Sequence, residues 1–102
     1  MLRFGIKTSD LDSVASTVGR VLGVEFRPHE SDWRGGAYCR AEVTGGSIII
    51  QPNRDLLDDE PFETDWPPDM LLLFMDGGTE AEWGPYTEAL TRLGDVEVVE
   101  LR

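Results

Sequence analysis

The chain has 102 residues, of which 40% are hydrophobic and 28% charged, and its net charge is −11. That length suits a single domain, 1–102, able to bury roughly two-thirds of its unfolded surface without staples, and the composition sits near the globular average, away from the disordered class. One cysteine, Cys39, excludes an internal disulfide framework, and the acidic excess argues against direct nucleic-acid binding, because phosphates would be repelled.

The first ten residues lack the charged stretch and long apolar run of a signal peptide. No apolar run approaches the roughly 20 residues of a membrane helix, the longest being Met70 to Met75. These features predict a cytoplasmic protein that does not enter a membrane.

Leu2, Phe4 and Ile6 alternate with Arg3, Gly5 and Lys7, which predicts a strand with one buried face. Ser9 then opens a helix, with Asp12 three residues on in a near capping box. Leu11, Val14, Ala15, Val18, Val21 and Leu22 form its apolar stripe, and Gly23 is placed to end it in a left-handed conformation. A short strand over Val24 to Arg27 is expected to stop at Pro28, with a loop from His29 to Gly36. Ala37, Cys39, Ala41 and Val43 alternate with Tyr38, Arg40, Glu42 and Thr44 in a further strand. Gly45-Gly46 before Ser47 to Gln51 signals a hairpin, and Pro52 ends its second arm or marks an edge.

The sixteen residues from Arg54 to Asp69 are acidic and contain three prolines. They read as a loop, and one of that length inside a compact domain is uncommon and often functional. Met70 to Met75 is a continuous apolar strand, of the kind covered on both faces. Asp76-Gly77-Gly78 reads as a turn. Pro85 would break a helix passing straight through it, so the second helix is expected from Pro85 to Leu93, closed by Gly94. Val96, Val98 and Leu101 suggest a last strand. The order β-α-β-β-β-loop-β-α-β predicts an α+β fold. A mixed or antiparallel sheet with both helices on one face fits it, as an elaborated ferredoxin-like sandwich.

The charge is segregated. Met1 to Arg54 carries seven basic and six acidic residues, whereas Asp55 to Thr91 carries eleven acids and no lysine or arginine. Seven of those acids, Asp55, Asp58, Asp59, Glu60, Glu63, Asp65 and Asp69, lie in the long loop. A solvated loop that confers solubility accounts for such a run. Concentration in one segment, however, points more specifically to a basic partner.

Catalytic and metal chemistry find little support. His29 is the only histidine and Cys39 the only thiol, too few for a transition-metal site, which wants several nitrogen or sulfur ligands. Cys39 falls on the apolar side of its strand, where a cysteine packs as a small hydrophobe. Asp55, Asp58, Asp59 and Glu60 are dense enough to suggest calcium, but the alternate-residue ligand spacing and its glycine are absent. No carboxylate pair stands out for acid–base work; Asp76 is best placed in a turn. The paired glycines match no phosphate-binding loop. No cofactor and no catalytic residue is therefore expected.

What remains is a recognition surface. Trp33 and Trp66 fall in predicted loops, Trp66 within Asp65-Trp66-Pro67-Pro68-Asp69. They either pack as lids over the core edge or, with the acids around them, form an aromatic anchor for a basic partner. The succession Gly36-Ala37-Tyr38-Cys39-Arg40, then Ile48 to Asp55, then an acidic loop, then Met70-Leu71-Leu72-Leu73-Phe74, resembles small bacterial immunity proteins. These neutralise polymorphic or contact-dependent toxins by binding the toxin domain tightly. The resemblance implies a toxin partner, no catalysis and a cytoplasmic site of action. The alternative is a small-molecule-binding or regulatory α+β domain, or a homodimer, in which a ligand or second copy covers the other face of the apolar strand. A carboxylate enzyme is the third reading.

Overall fold

The computed structural model describes residues 2–31, 36–43, 45–54, 60–78, 80–94 and 96–101. The elements run β1 (Leu2–Ile6), α1 (Leu11–Leu22), β2 (Arg27–Ser31), β3 (Gly36–Val43), β4 (Gly46–Pro52), β5 (Leu71–Gly77), α2 (Glu80–Leu90) and β6 (Val98–Leu101). The strands form a six-stranded sheet in the order β2-β3-β4-β5-β1-β6. All neighbours pair antiparallel, so the fold is α+β.

The topology has two parts. β5, α2 and β6 make a split β-α-β unit, with β1 inserted between its strands. In the first half, α1 delivers the chain to the far edge at β2, and the meander β2-β3-β4 brings it back to β5. This meander extends the sheet beyond a four-stranded ferredoxin-like order.

α1 forms where the helical stripe predicts it, but its cap is Asp10, not Ser9: the Asp10 carboxylate accepts a hydrogen bond from the Ser13 N–H. Gly23, at φ 70°, closes it in the left-handed region. Val14, Ala15 and Val18 are buried, whereas Val21 is 39% exposed and lies outside the packed stripe. Both helices lie on one face of the sheet. Their Val14, Val18, Trp83 and Leu90 pack with Phe4, Ile6, Ile48, Ile50, Leu71, Leu73 and Met75 in the main core.

Several elements differ from expectation. The stretch after Pro28 is not a loop: β2 runs through it, with Pro28 opposite Cys39 and His29 opposite Tyr38. An edge strand tolerates this proline because the missing N–H faces solvent. The hairpin pairs Val43 with Gly46 and Ala41 with Ile48. Gly46 is thus the first strand residue, and a side chain there would strike the Asp76 carbonyl. Asp76 is an exposed strand residue opposite Ser47, and the strand runs on to Gly77, paired with Gly46. α2 starts at Glu80 and contains Pro85, which forfeits one backbone hydrogen bond. Trp83 compensates, buried in the core with its indole N–H donating to the Gly77 carbonyl at 2.6 Å. Past Leu90 the chain continues only as tight turns, with Thr91, Arg92 and Leu93 each donating three residues back.

Candidate functional site

The face of the sheet opposite the helices, called here the outer face, carries the described part of the acidic segment, residues 60–70. β5 is buried from Leu71 to Met75, and the alternation of its residues explains the double cover. Leu71, Leu73 and Met75 point into the main core. Leu72 and Phe74 point outward and join Ile49 and Trp66 in a second, smaller cluster, against which Tyr38, Met70, Val99 and Leu101 pack. The second face of the apolar strand is therefore covered from within the chain. Burial of this kind stabilises by roughly 25 cal/mol per Å² of apolar surface removed from water.

Trp66 is the centre of that cover. It is 8% exposed, and its indole N–H donates to the Leu71 carbonyl at 3.1 Å. It lies on Gly5 so closely that a Cβ at Gly5 would stand 2.4 Å from the indole ring. Of the two roles open to Trp66, lid and exposed anchor, the geometry is that of a lid. The exposed aromatic of the segment is Phe62, 42% exposed, whose ring meets that of Phe74 edge-on at 5.7 Å.

Asn53, fully buried at the end of β4, fastens the segment. Its amide nitrogen donates to the carbonyls of Glu63, Trp66 and Pro67 at 3.0, 2.7 and 3.1 Å. Its amide oxygen accepts from the Glu63 N–H at 2.6 Å. The Asn53 N–H donates to the Met70 carbonyl at 3.0 Å. One side chain thus replaces the hydrogen bonds that a strand or helix would otherwise give this irregular backbone. Arg3, on the outer face of β1, adds an ion pair to Glu63 at 2.7 Å. Residues 60–70 are in this way fixed as a cap over β5 and β1.

The predicted site residues separate into three groups. Glu60, Asp65 and Asp69 are exposed on the cap. Glu63 is half-buried and held by Arg3, and Trp66 is buried. Trp33, Asp55, Asp58 and Asp59 lie outside the described residues. Sequence reasoning missed Asn53, Arg3, Gly5 and Phe62. Gly5 did carry a signal, since a glycine inside an alternating strand often marks a close approach of other atoms.

Over β2 and β3 the outer face forms a concavity of about 550 Å³ lined by Glu25, Arg27, His29, Tyr38, Arg40 and Glu42. His29 stacks on Tyr38 with ring centres 5.3 Å apart. On the helix side, a cleft of about 390 Å³ runs between α1 and β2, with Phe26, Pro28 and Cys39 in its walls. Cys39 is buried, and burial, with Asp12 adding in the same sense, pushes its thiol up from the ordinary value. A thiol kept protonated is a poor nucleophile. Among the described residues, no group of three or more His, Cys, Asp or Glu side chains is placed to hold a metal ion. No described helix is long and apolar enough to cross a membrane. No protein-family model, no curated protein and no solved structure matches the chain.

Proposed function

We propose that this chain is a binding protein of the immunity type, which inhibits a bacterial toxin domain by presenting its acidic cap to a basic surface on the toxin. The observation that carries the reading is the fastened cap. A solubility loop needs charge but no fixed shape. Residues 60–70 have both, because Asn53, Trp66 and the Arg3–Glu63 pair hold the backbone that bears the exposed Glu60, Asp65 and Asp69. Pre-ordering removes much of the entropy cost that a flexible acidic loop would meet on binding. An oriented acidic field raises association rates by about 10 to 10³.

Phe62 takes the anchor role expected of Trp66, because it is the aromatic side chain the cap leaves exposed. The complex forms in the cytoplasm, needs no cofactor and involves no chemical step in this chain. The small-molecule reading loses its original support, since Trp66 already covers the strand that suggested an added ligand.

The test is co-expression with the toxin domain that the proposal expects a neighbouring gene to encode. The proposal expects restored growth of cells expressing that domain and a stable complex in gel filtration. Growth arrest unaffected by co-expression, with no complex from the purified proteins, would refute it.

A further inference from the structure

We propose that the interface with the toxin domain includes the open edge of β6, where an extended basic segment of that domain adds a further strand to the sheet. The proposal rests on the toxin-binding reading and names a second contact with the same partner, beside the cap.

The first observation is the phase of the backbone at the two ends of the sheet. β2 and β6 are its edges. Successive residues of an antiparallel strand turn their N–H and C=O groups to alternate sides. The Lys7 N–H donates to the Glu97 carbonyl at 3.0 Å. Residues 97, 99 and 101 therefore face β1, and Val98 and Glu100 direct both backbone groups away from it. Among the described residues, no backbone bond outside the strands themselves takes up these groups. β2 offers less, because Pro28 occupies one of its outward positions and has no N–H to give. Of the two edges, β6 is the one whose donors and acceptors run unbroken.

The second observation is how the edge is held and where it lies. Val98 packs against the main core, and Val99 and Leu101 pack against the cluster that contains Trp66. An incoming strand meets a backbone already extended and anchored on both faces, which lowers the ordering cost of pairing. Val99 lies directly opposite Gly5, the residue on which Trp66 rests. The edge is thus one strand away from the cap, and a domain seated on the cap reaches it within one continuous contact.

The charges around the edge select the occupant. By the alternation of side chains, Glu97 stands on the cap side of the sheet and Glu100 on the helix side, and both are exposed. Glu97 pairs with Lys7 at 3.1 Å, whereas Glu100 has no ion pair among the described residues. A strand laid along β6 meets a carboxylate on each face. A second copy of this chain, itself at −11, would set acid against acid there. A strand of four residues also buries far less than the roughly 800 Å² per partner of a stable interface. A basic segment gains from both acids and only supplements the cap. Strand addition takes its affinity from main-chain hydrogen bonds, here up to four from the outward groups of Val98 and Glu100.

The test is amide hydrogen exchange, read residue by residue by NMR, on the natural chain alone and in complex with the toxin domain that the proposal expects a neighbouring gene to encode. In the free chain the Val98 and Glu100 amides exchange fast and that of Val99, bonded to β1, exchanges slowly. Complex formation slows Val98 and Glu100 by about 100-fold or more. Glu100→Pro removes an outward donor that β1 does not use, and circular dichroism verifies its folding. Its complex dissociates about 10-fold faster, while Glu100→Gln, which keeps the donor, stays within about 3-fold of the natural chain. If Glu100→Pro does not fold, exchange in the natural chain decides alone. A complex in which Val98 and Glu100 exchange as fast as in the free chain would overturn the proposal and leave the toxin reading standing. Equal dissociation of the two variant complexes would do the same. Protection of these amides in the toxin-free chain as its concentration rises would assign the edge to a second copy and so also overturn it. Failure to form any complex defeats the toxin reading, and this contact with it.

Discussion

Replacing Asn53 with alanine tests how the cap is held. The side chain is fully buried and makes four hydrogen bonds to the cap backbone, at 3.0, 2.7, 3.1 and 2.6 Å. Two amide hydrogens serve three carbonyls, so one is shared, and the set counts as about three full bonds. At a net value near 1 kcal/mol each, with an added penalty for groups left buried without a partner, the loss is about 3 to 4 kcal/mol. That is a large share of the stability of a small domain. Urea unfolding followed by circular dichroism measures the global part. Hydrogen exchange at the Glu63 and Met70 amides measures local release of the cap. Asn53→Asp sharpens the test, because at neutral pH a carboxylate would face three carbonyl oxygens. Its folded pKa would be raised, so this variant should regain stability as pH falls towards about 4. A loss below about 0.5 kcal/mol with unchanged protection of the cap amides would refute the assignment of Asn53 as its fastening.

Three further outcomes follow from the same packing. Gly5→Ala places a methyl 2.4 Å from the Trp66 ring; it should destabilise by about 1 to 3 kcal/mol and red-shift the tryptophan emission, and unchanged emission and stability would contradict the lid. Trp83→Phe keeps most of the buried ring but removes the donor to the Gly77 carbonyl, for an expected loss of about 1 to 2 kcal/mol in urea unfolding. The raised Cys39 thiol favours the protonated folded state, so its contribution is intact below the ordinary value of 9.0 and is lost as pH rises through the folded value. Stability measured above pH 9 should therefore fall more steeply in the natural chain than in Cys39→Ala, and parallel curves would show that the thiol is not buried as described.

Much of the fold was legible because its signals are local and periodic. The alternation in β3, the stripe in α1 and the unbroken run in β5 each report burial directly, whereas β1, expected to bury one face, is covered on the other as well where Trp66 lies on Gly5. The misplaced boundaries lie at prolines. Pro28 and Pro85 forbid a hydrogen bond, but neither position needs one badly enough to end its element, since β2 is an edge and α2 is held by Trp83. The candidate site was legible as a charge imbalance and not as a shape. That the cap is fixed depends on contacts between Asn53 and Glu63, Arg3 and Glu63, and Gly5 and Trp66. These pairs are far apart in sequence, and no periodicity encodes them. For the same reason Trp66 could be read equally as lid or anchor until its neighbour was known to be Gly5.

The central claim is that the cap's charge guides a basic partner, and its most direct test is the association rate with a toxin domain that the proposal expects a neighbouring gene to encode. Glu60, Asp65 and Asp69 are exposed, so changing all three to lysine alters the field without disturbing the lid. Stopped-flow association of the natural chain and this variant would be compared at low and physiological salt, where the Debye length falls from about 30 to about 8 Å. The account predicts association slowed by about 10-fold or more in the variant at low salt, with a smaller difference at physiological salt. Equal rates and equal salt dependence for the two proteins would contradict it.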